Sequence, residues 1–162
     1  MDKTPLISVI TINFNDRVGL ERTFESVFNQ TFQDFEYIVI DGGSNDGSKE
    51  LIEENTEKIS YWISEPDKGI YNAMNKGIKM ATGEYCIFLN SGDYFVDSES
   101  LKKLMKYGDE IDLVYGNILV DDGSNQQIKC YPSSLTFSYF LKDTLPHPAT
   151  IIRRSLLSIN PY

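Results

Sequence analysis

Three apolar, largely β-branched runs decide what this chain can become: Ile7–Ile12, Phe35–Ile40 and Glu84–Leu89. A strand that faces solvent on one side alternates polar and apolar residues, whereas runs with so little polarity read as strands buried on both faces. Such strands need helices above and below them, and the intervening segments supply the pattern. Leu20, Phe24, Val27 and Phe28 recur at helical spacing between Val18 and Asn29. Ser48 opens a charged helix with Leu51 and Ile52 as its apolar seam. Ile70, Ala73, Met74, Gly77, Ile78 and Ala81 form the inner face of a further helix, with Gly83 expected to close it. With a short strand at Ile59–Ser64, the first ninety residues read β-α-β-α-β-α-β, the order of a mostly parallel α/β sheet of Rossmann-like type with helices on both faces.

The later sequence changes character. Asp97 is expected to cap a helix running to about Tyr107, and Asp112–Val120 reads as one strand. Asp121-Asp122-Gly123-Ser124-Asn125 signals a hairpin into Gln127–Tyr131. Leu135–Leu141 reads as a short helix and Ala149–Ile152 as a late strand. No repeat, low-complexity tract or linker interrupts residues 1–162, so a single domain is expected, long enough to bury roughly two thirds of its unfolded surface.

Two of the strands end in loops of small residues that carry an aspartate. One is Asp41-Gly42-Gly43-Ser44-Asn45-Asp46-Gly47-Ser48 and the other Asn90-Ser91-Gly92-Asp93. Open α/β sheets bind ligands outside the carboxyl ends of their strands, so both loops should border one crevice. The net charge of −9, with 24 acidic against 15 basic residues and no basic run, argues against a nucleic-acid groove. An anionic ligand would need helix N-termini, a few lysines or a divalent cation. Gly42-Gly43-x-x-x-Gly47 does not have the G-x-G-x-x-G spacing of a dinucleotide fold, and no G-x-x-x-x-G-K-[ST] occurs. An EF-hand loop fails as well, because Asp46 stands where glycine is required. Cys86 and Cys130 lack metal-ligand spacing, no secretion signal precedes the first strand, and no apolar stretch nears the ~20 residues of a membrane helix. A reducing, cytoplasmic setting is the expectation.

Five segments lie in order along the chain: Thr11–Asn15, Ile40–Ser48, Ser64–Ile78, Ala81–Tyr85 and Phe88–Asp93. Together they resemble the inverting family 2 glycosyltransferases of GT-A fold that build bacterial surface polysaccharides, strongly over Ile7–Asp93 and weakly beyond. The resemblance implies a nucleoside-diphosphate sugar donor, a UDP-sugar first among them, and a polysaccharide or lipid-linked saccharide acceptor. It also implies Mn²⁺ or Mg²⁺, no nucleic-acid partner, and peripheral association of the whole protein with the inner face of a membrane.

The residues themselves leave alternatives open beside these roles. Asp41, at the end of a buried strand, can cap its Gly-Ser loop or accept a hydrogen bond from a nucleobase; the resemblance assigns the base. Phe14 is either a core ring or the aromatic stacked on that base, while Ile12 and Asn13 would meet it through their backbone. Asp67 is either a capping aspartate or, as the resemblance implies, a contact to base or ribose. Lys68 is a solvated lysine or a phosphate partner at a helix N-terminus, and Asn75 touches nucleotide or supports the loop. Asp93 is either a turn residue capping Tyr94-Phe95 or, as the resemblance implies, the metal ligand of an Asp-x-Asp motif, with Asn90 and Gly92 departing from the usual acidic residues there. His147, the one histidine, is either structural or a second metal ligand. Relatives carry their catalytic base, an aspartate, beyond the segment ending at Tyr162, so the chain reads as C-terminally truncated. Neither Asp109 nor Asp143 has a motif to replace that base. The alternative is therefore an inactive fragment that holds a nucleotide sugar without transferring it.

Overall fold

The computed structural model describes residues 4–106, 111–159 and 161–162. Its main sheet contains β1 (Ile7–Asn13), β2 (Phe35–Asp41), β3 (Tyr61–Ser64), β4 (Tyr85–Asn90), β5 (Leu113–Tyr115) and β8 (Thr150–Arg153), in the order β3-β2-β1-β4-β8-β5. The first four are parallel to one another, and β8 runs antiparallel between β4 and β5. A separate hairpin pairs β6 (Ile118–Asp121) with β7 (Gln126–Lys129).

Helices cover both faces, as the unbroken apolar strands require. One layer is α1 (Arg17–Phe28), α2 (Ser48–Glu54) and α4 (Ser100–Met105), whose Leu20, Phe24, Val27, Leu51, Ile52 and Leu101 pack on Ile7, Val9, Tyr37, Val39 and Ile87. The other is α3 (Ile70–Met80) with α6 (Arg154–Ile159), whose Ala73, Met74, Ile78 and Leu157 meet Ile10, Ile12, Ile38, Ile40 and Phe88. Odd-numbered β1 residues thus join one core and even-numbered residues the other, because successive side chains alternate across a strand. A short helix, α5 (Phe137–Phe140), leaves Phe137 and Phe140 exposed.

Two expectations change and one element is added. The Asp112–Val120 run divides at Gly116-Asn117: β5 joins the main sheet, where Gly116 N donates to Ala149 O, and β6 leaves it for the hairpin. α3 ends without help from Gly83, since Ala81 turns extended, and Gly83 N instead donates to Ser8 Oγ and Glu36 Oε1. The segment Arg154–Ile159 is helical, which its sequence had not signalled. Tyr107 and Asp109 lie outside the described residues.

Candidate functional site

Register brings the two aspartate loops together. Parallel pairing sets Asn13 opposite Asp41, Asp41 opposite Ser64, and Ile12 opposite Asn90, so four strand ends converge at one edge. The Asp41 carboxylate lies fully buried between these neighbours. Its Oδ1 accepts from Asn13 Nδ2 (2.6 Å) and Ser44 Oγ (2.5 Å). Its Oδ2 accepts from Ser64 Oγ (2.6 Å), Ser44 N (3.0 Å) and Gly43 N (3.2 Å). Burial works to raise the Asp41 pKa, but the hydrogen bonds from Ser44, Ser64 and Asn13 outweigh it and hold the carboxyl below its ordinary 3.8. Asn13 then passes the contact on, because its Oδ1 accepts from Ser91 Oγ at 2.6 Å. One buried amide therefore ties the Asp41 loop to the Asn90–Asp93 loop.

A crevice of about 430 Å³ opens above this edge, lined among others by Ile12, Asn13, Phe14, Asp16, Asp67 and Asn90. Phe14 stands 66% exposed on its wall, so it is a surface ring and not a core one. Asp67 is ion-paired with Lys76, which also holds Glu65 at 2.7 Å. The crevice wall contains carboxylates but no lysine or arginine.

A second crevice, about 450 Å³, adjoins the first across Asn90 and is lined by Tyr71, Pro146, His147 and Tyr162 among others. Tyr71 stacks on Tyr162 with ring centroids 5.7 Å apart, and the His147 ring meets Tyr162 edge-on. Asp93 Oδ2 accepts from Asn90 N at 3.2 Å. Burial raises the Asp93 pKa against that hydrogen bond and the nearby His147, while burial lowers the His147 pKa against the pull of Asp93. The Asn90 Oδ1 is buried with no hydrogen-bond partner.

The residues expected from sequence therefore separate into two groups. Ile12, Asn13, Phe14 and Asp67 line the first crevice and His147 the second. Asp93 lines neither, but bonds Asn90 N next to the residue the two crevices share and is near enough to His147 for the two to interact electrostatically. Asp41 sits beneath the crevice and not on its wall, and its geometry is that of a loop cap. Lys68 is exposed and absent from both linings. Asn75 lines neither crevice; its side chain accepts from Tyr162 N (3.0 Å) and donates to Tyr162 O (2.7 Å), holding a residue that lines the second. Asp143 is ion-paired with Lys129 at 2.8 Å and lines neither crevice. The loop-cap alternative for Asp41 names Gly43 and Ser44 from sequence, and both bond it. Ser64 and Ser91 were not singled out, and only the strand register reveals them as partners of Asp41 and Asn13.

A divalent cation fits this junction by its donor chemistry. Asn90 offers an unpaired buried carbonyl oxygen, Asp93 a carboxylate and His147 an imidazole that burial favours in its neutral form. Among the described residues no three His, Cys, Asp or Glu side chains converge.

The model of glycosyl transferase family 2 matches residues 8–155. An uncharacterized glycosyltransferase of Mycobacterium tuberculosis is 48% identical over 96 residues, covering 59% of this chain and 37% of that protein. A GalNAc(5)-diNAcBac-PP-undecaprenol beta-1,3-glucosyltransferase of Campylobacter jejuni is 31% identical over 75% of this chain and 40% of its own length. Among solved structures, S. aureus TarS 1-349 in complex with UDP-GlcNAc is 25% identical with a TM-score of 0.75, covering 95% of this chain and 47% of that one. The mannosyltransferase PcManGT from Pyrobaculum calidifontis, in complex with GDP-Man and Mn2+, shares the fold at TM-score 0.75 and 16% identity, over 99% of this chain and 48% of its own. The chain thus spans less than half the length of each of these proteins. No helix among the described residues is long and apolar enough to cross a membrane.

Proposed function

The chain belongs to glycosyl transferase family 2 and has its GT-A fold, and from that premise we propose that it binds a nucleoside-diphosphate sugar, a UDP-sugar, for metal-dependent transfer with inversion. The acceptor is a polysaccharide or a lipid-linked saccharide, as in the undecaprenol-named relative. Residues 1–162 act as the donor-binding domain, at the inner face of a membrane.

The observation that carries this reading is the charge of the donor crevice. Asp16 and Asp67 line it, and no lysine or arginine reaches the wall. The one Lys76 ammonium behind Asp67 is shared with Glu65, so a diphosphate placed there meets no free positive charge unless a cation accompanies it. Asn90, Asp93 and His147 are the residues that would hold Mn²⁺ or Mg²⁺ at the junction. When bound, the cation neutralises the diphosphate as it leaves. The exposed Phe14 ring offers a stacking face to the base, with Ile12 and Asn13 beside it. Asp41 acts from below, fixing the Gly42–Ser44 loop and orienting Asn13; a base N–H reaches it only by displacing a serine hydroxyl. The Tyr71, His147 and Tyr162 side chains line the adjoining space for the sugar and the incoming hydroxyl.

A second reading has an observation of its own. Asp16 is spent as the α1 N-cap and Asp67 as the Lys76 partner, so neither serves as the base that deprotonates an acceptor. On that reading residues 1–162 hold the donor without transferring its sugar. Calorimetry of UDP binding with Mn²⁺ and with EDTA tests the main proposal. Mn²⁺ is expected to tighten UDP by at least ten-fold, and Asp93→Asn is expected to remove that gain. Equal affinity with and without the cation, for UDP and GDP alike, would defeat it. Transfer from a UDP-sugar by the 162-residue chain alone would remove the second reading.

A further inference from the structure

Helix α1 and the residues just past its end present a polar stripe inside an otherwise apolar contact: Thr23 and Ser26 on the helix, at i and i+3, and Gln30 two residues beyond its last turn. Thr23 is fully buried and Gln30 is 2% exposed. Neither serves the core; both bond the main chain that follows β4. Gln30 Nε2 donates to Asp97 O at 2.8 Å, and its Oε1 accepts from Leu101 N at 2.9 Å. Ser26 Oγ accepts from Phe95 N at 3.2 Å. Thr23 Oγ1 accepts from Gly92 N at 3.1 Å and donates to Asp93 O at 2.7 Å. The helix thus holds a stretch of irregular backbone whose polar groups no strand satisfies.

The Thr23 contact differs from the other two in what it grips. Its hydroxyl spans the Gly92–Asp93 unit, and Gly92 adopts φ +92. The helix backbone approaches so closely that a Cβ on Gly19 would come within 2.8 Å of Gly92 N. A threonine within a helix ordinarily returns its proton to the carbonyl four residues back, and Gly19 O is available at 3.0 Å. The shorter contact is to the loop. With the peptide gripped on one side and Asn90 N bonded to its carboxylate on the other, Asp93 has little freedom to turn away from the junction.

We propose that Thr23 is a positioning residue for the cation site, its hydroxyl fixing the Gly92–Asp93 backbone so that the Asp93 carboxylate is presented to a divalent metal. This inference rests on the donor-binding reading above. Removing an outer partner of a metal ligand weakens metal affinity by about ten-fold or more.

The test uses the full chain, with UDP and Mn²⁺ as probes, read by calorimetry and by the Mn²⁺ electron paramagnetic resonance spectrum. Thr23→Val is expected to cut the Mn²⁺-dependent tightening of UDP by about ten-fold, leaving UDP affinity in EDTA unchanged and broadening the distribution of Mn²⁺ environments. Thr23→Ser, which keeps the hydroxyl, is expected to keep the wild-type gain. Gln30→Met, at the far end of the stripe, is expected to lower the melting temperature while leaving the Mn²⁺ gain intact. Should Thr23→Val fail to fold, Thr23→Ser against Thr23→Ala isolates the same hydroxyl. A Thr23→Val protein with the full Mn²⁺ gain, or a Gln30→Met protein that loses as much of it, overturns the proposal. If the wild type itself shows no Mn²⁺ gain, the donor-binding reading fails first and takes this one with it.

Discussion

Replacing Asp41 by asparagine should destabilise the fold out of proportion to the one atom changed. Five donors converge on the two carboxylate oxygens: Asn13 Nδ2, Ser44 Oγ, Ser44 N, Gly43 N and Ser64 Oγ. An asparagine presents one acceptor oxygen and an NH2 group with two N–H donors. The serine hydroxyls can rotate to accept from it, and the Asn13 amide can flip, since Ser91 Oγ is able to donate or accept. What cannot be recovered is the charge. Hydrogen bonds to a charged group contribute about 1 kcal/mol more than neutral ones, so five of them set a limit of about 5 kcal/mol. Because the five share two oxygens and polarise one another, about 2–4 kcal/mol is the expected loss. For a domain of this size that lowers the melting temperature by roughly 5–15 °C. Urea unfolding at neutral pH should show a lower midpoint at unchanged slope.

The pH dependence supplies an independent check with a definite sign. The folded Asp41 pKa lies below 3.8, so its carboxylate stabilises the fold fully above the unfolded value and loses that contribution as pH falls through the folded one. The deficit of Asp41→Asn should therefore be constant above about pH 6 and shrink below the unfolded value. A deficit under about 0.5 kcal/mol at pH 7, the range of ordinary surface changes, would refute the reasoning. So would a deficit that persists undiminished in acid.

Two other perturbations separate folding from binding. Phe14→Ala removes a ring that is 66% exposed, so stability should move by less than about 0.5 kcal/mol. The same change should weaken UDP roughly ten-fold through lost stacking, with Phe14→Trp restoring it; unchanged UDP affinity in the alanine variant would exclude a stacking role. Burial pushes the Cys86 thiol up to about 12, whereas Cys130 is exposed. At pH 8 an alkylating reagent should label one cysteine of the native protein and both after denaturation, and rapid native labelling of Cys86 by mass spectrometry would contradict its place in β4.

The parts of the fold legible in the sequence were those where one residue type answers to one environment. Ile7–Ile12 and Glu84–Leu89 carry no polarity pattern, and such runs have few stable destinations other than the centre of a covered sheet. The break at Gly116-Asn117 was not legible, because Asp112–Val120 is uniformly strand-like and what divides it is competition for partners. Leu113–Tyr115 pairs with a strand nearly forty residues later, while Ile118–Asp121 pairs with its neighbour across a turn. The site behaves likewise. Phe14, Asp67 and Asp93 stand out by residue type at strand ends and loops. Ser64 and Thr23 do not, since a serine closing a short strand and a threonine within a helix have many uses. Their partners, Asp41 and the Gly92–Asp93 peptide, lie 23 and about 70 residues away and are set by register and helix packing.

The sheet order also dictates a schedule for synthesis. β8 is inserted between β4 and β5, pairing Tyr85 with Arg153, Cys86 with Ile152 and Val114 with Ile151. By the time residue 90 has left the ribosome, β1 to β4 can assemble from consecutive β-α-β units, but the outer edge of β4 has no partner until residue 150 follows. At usual elongation rates that interval lasts roughly 3–12 s. Over it β4 presents an unpaired edge and an uncovered apolar flank, and β5 has nothing to dock against. Of the six strands of this sheet, the one that seals the open edge of β4 is the latest in sequence.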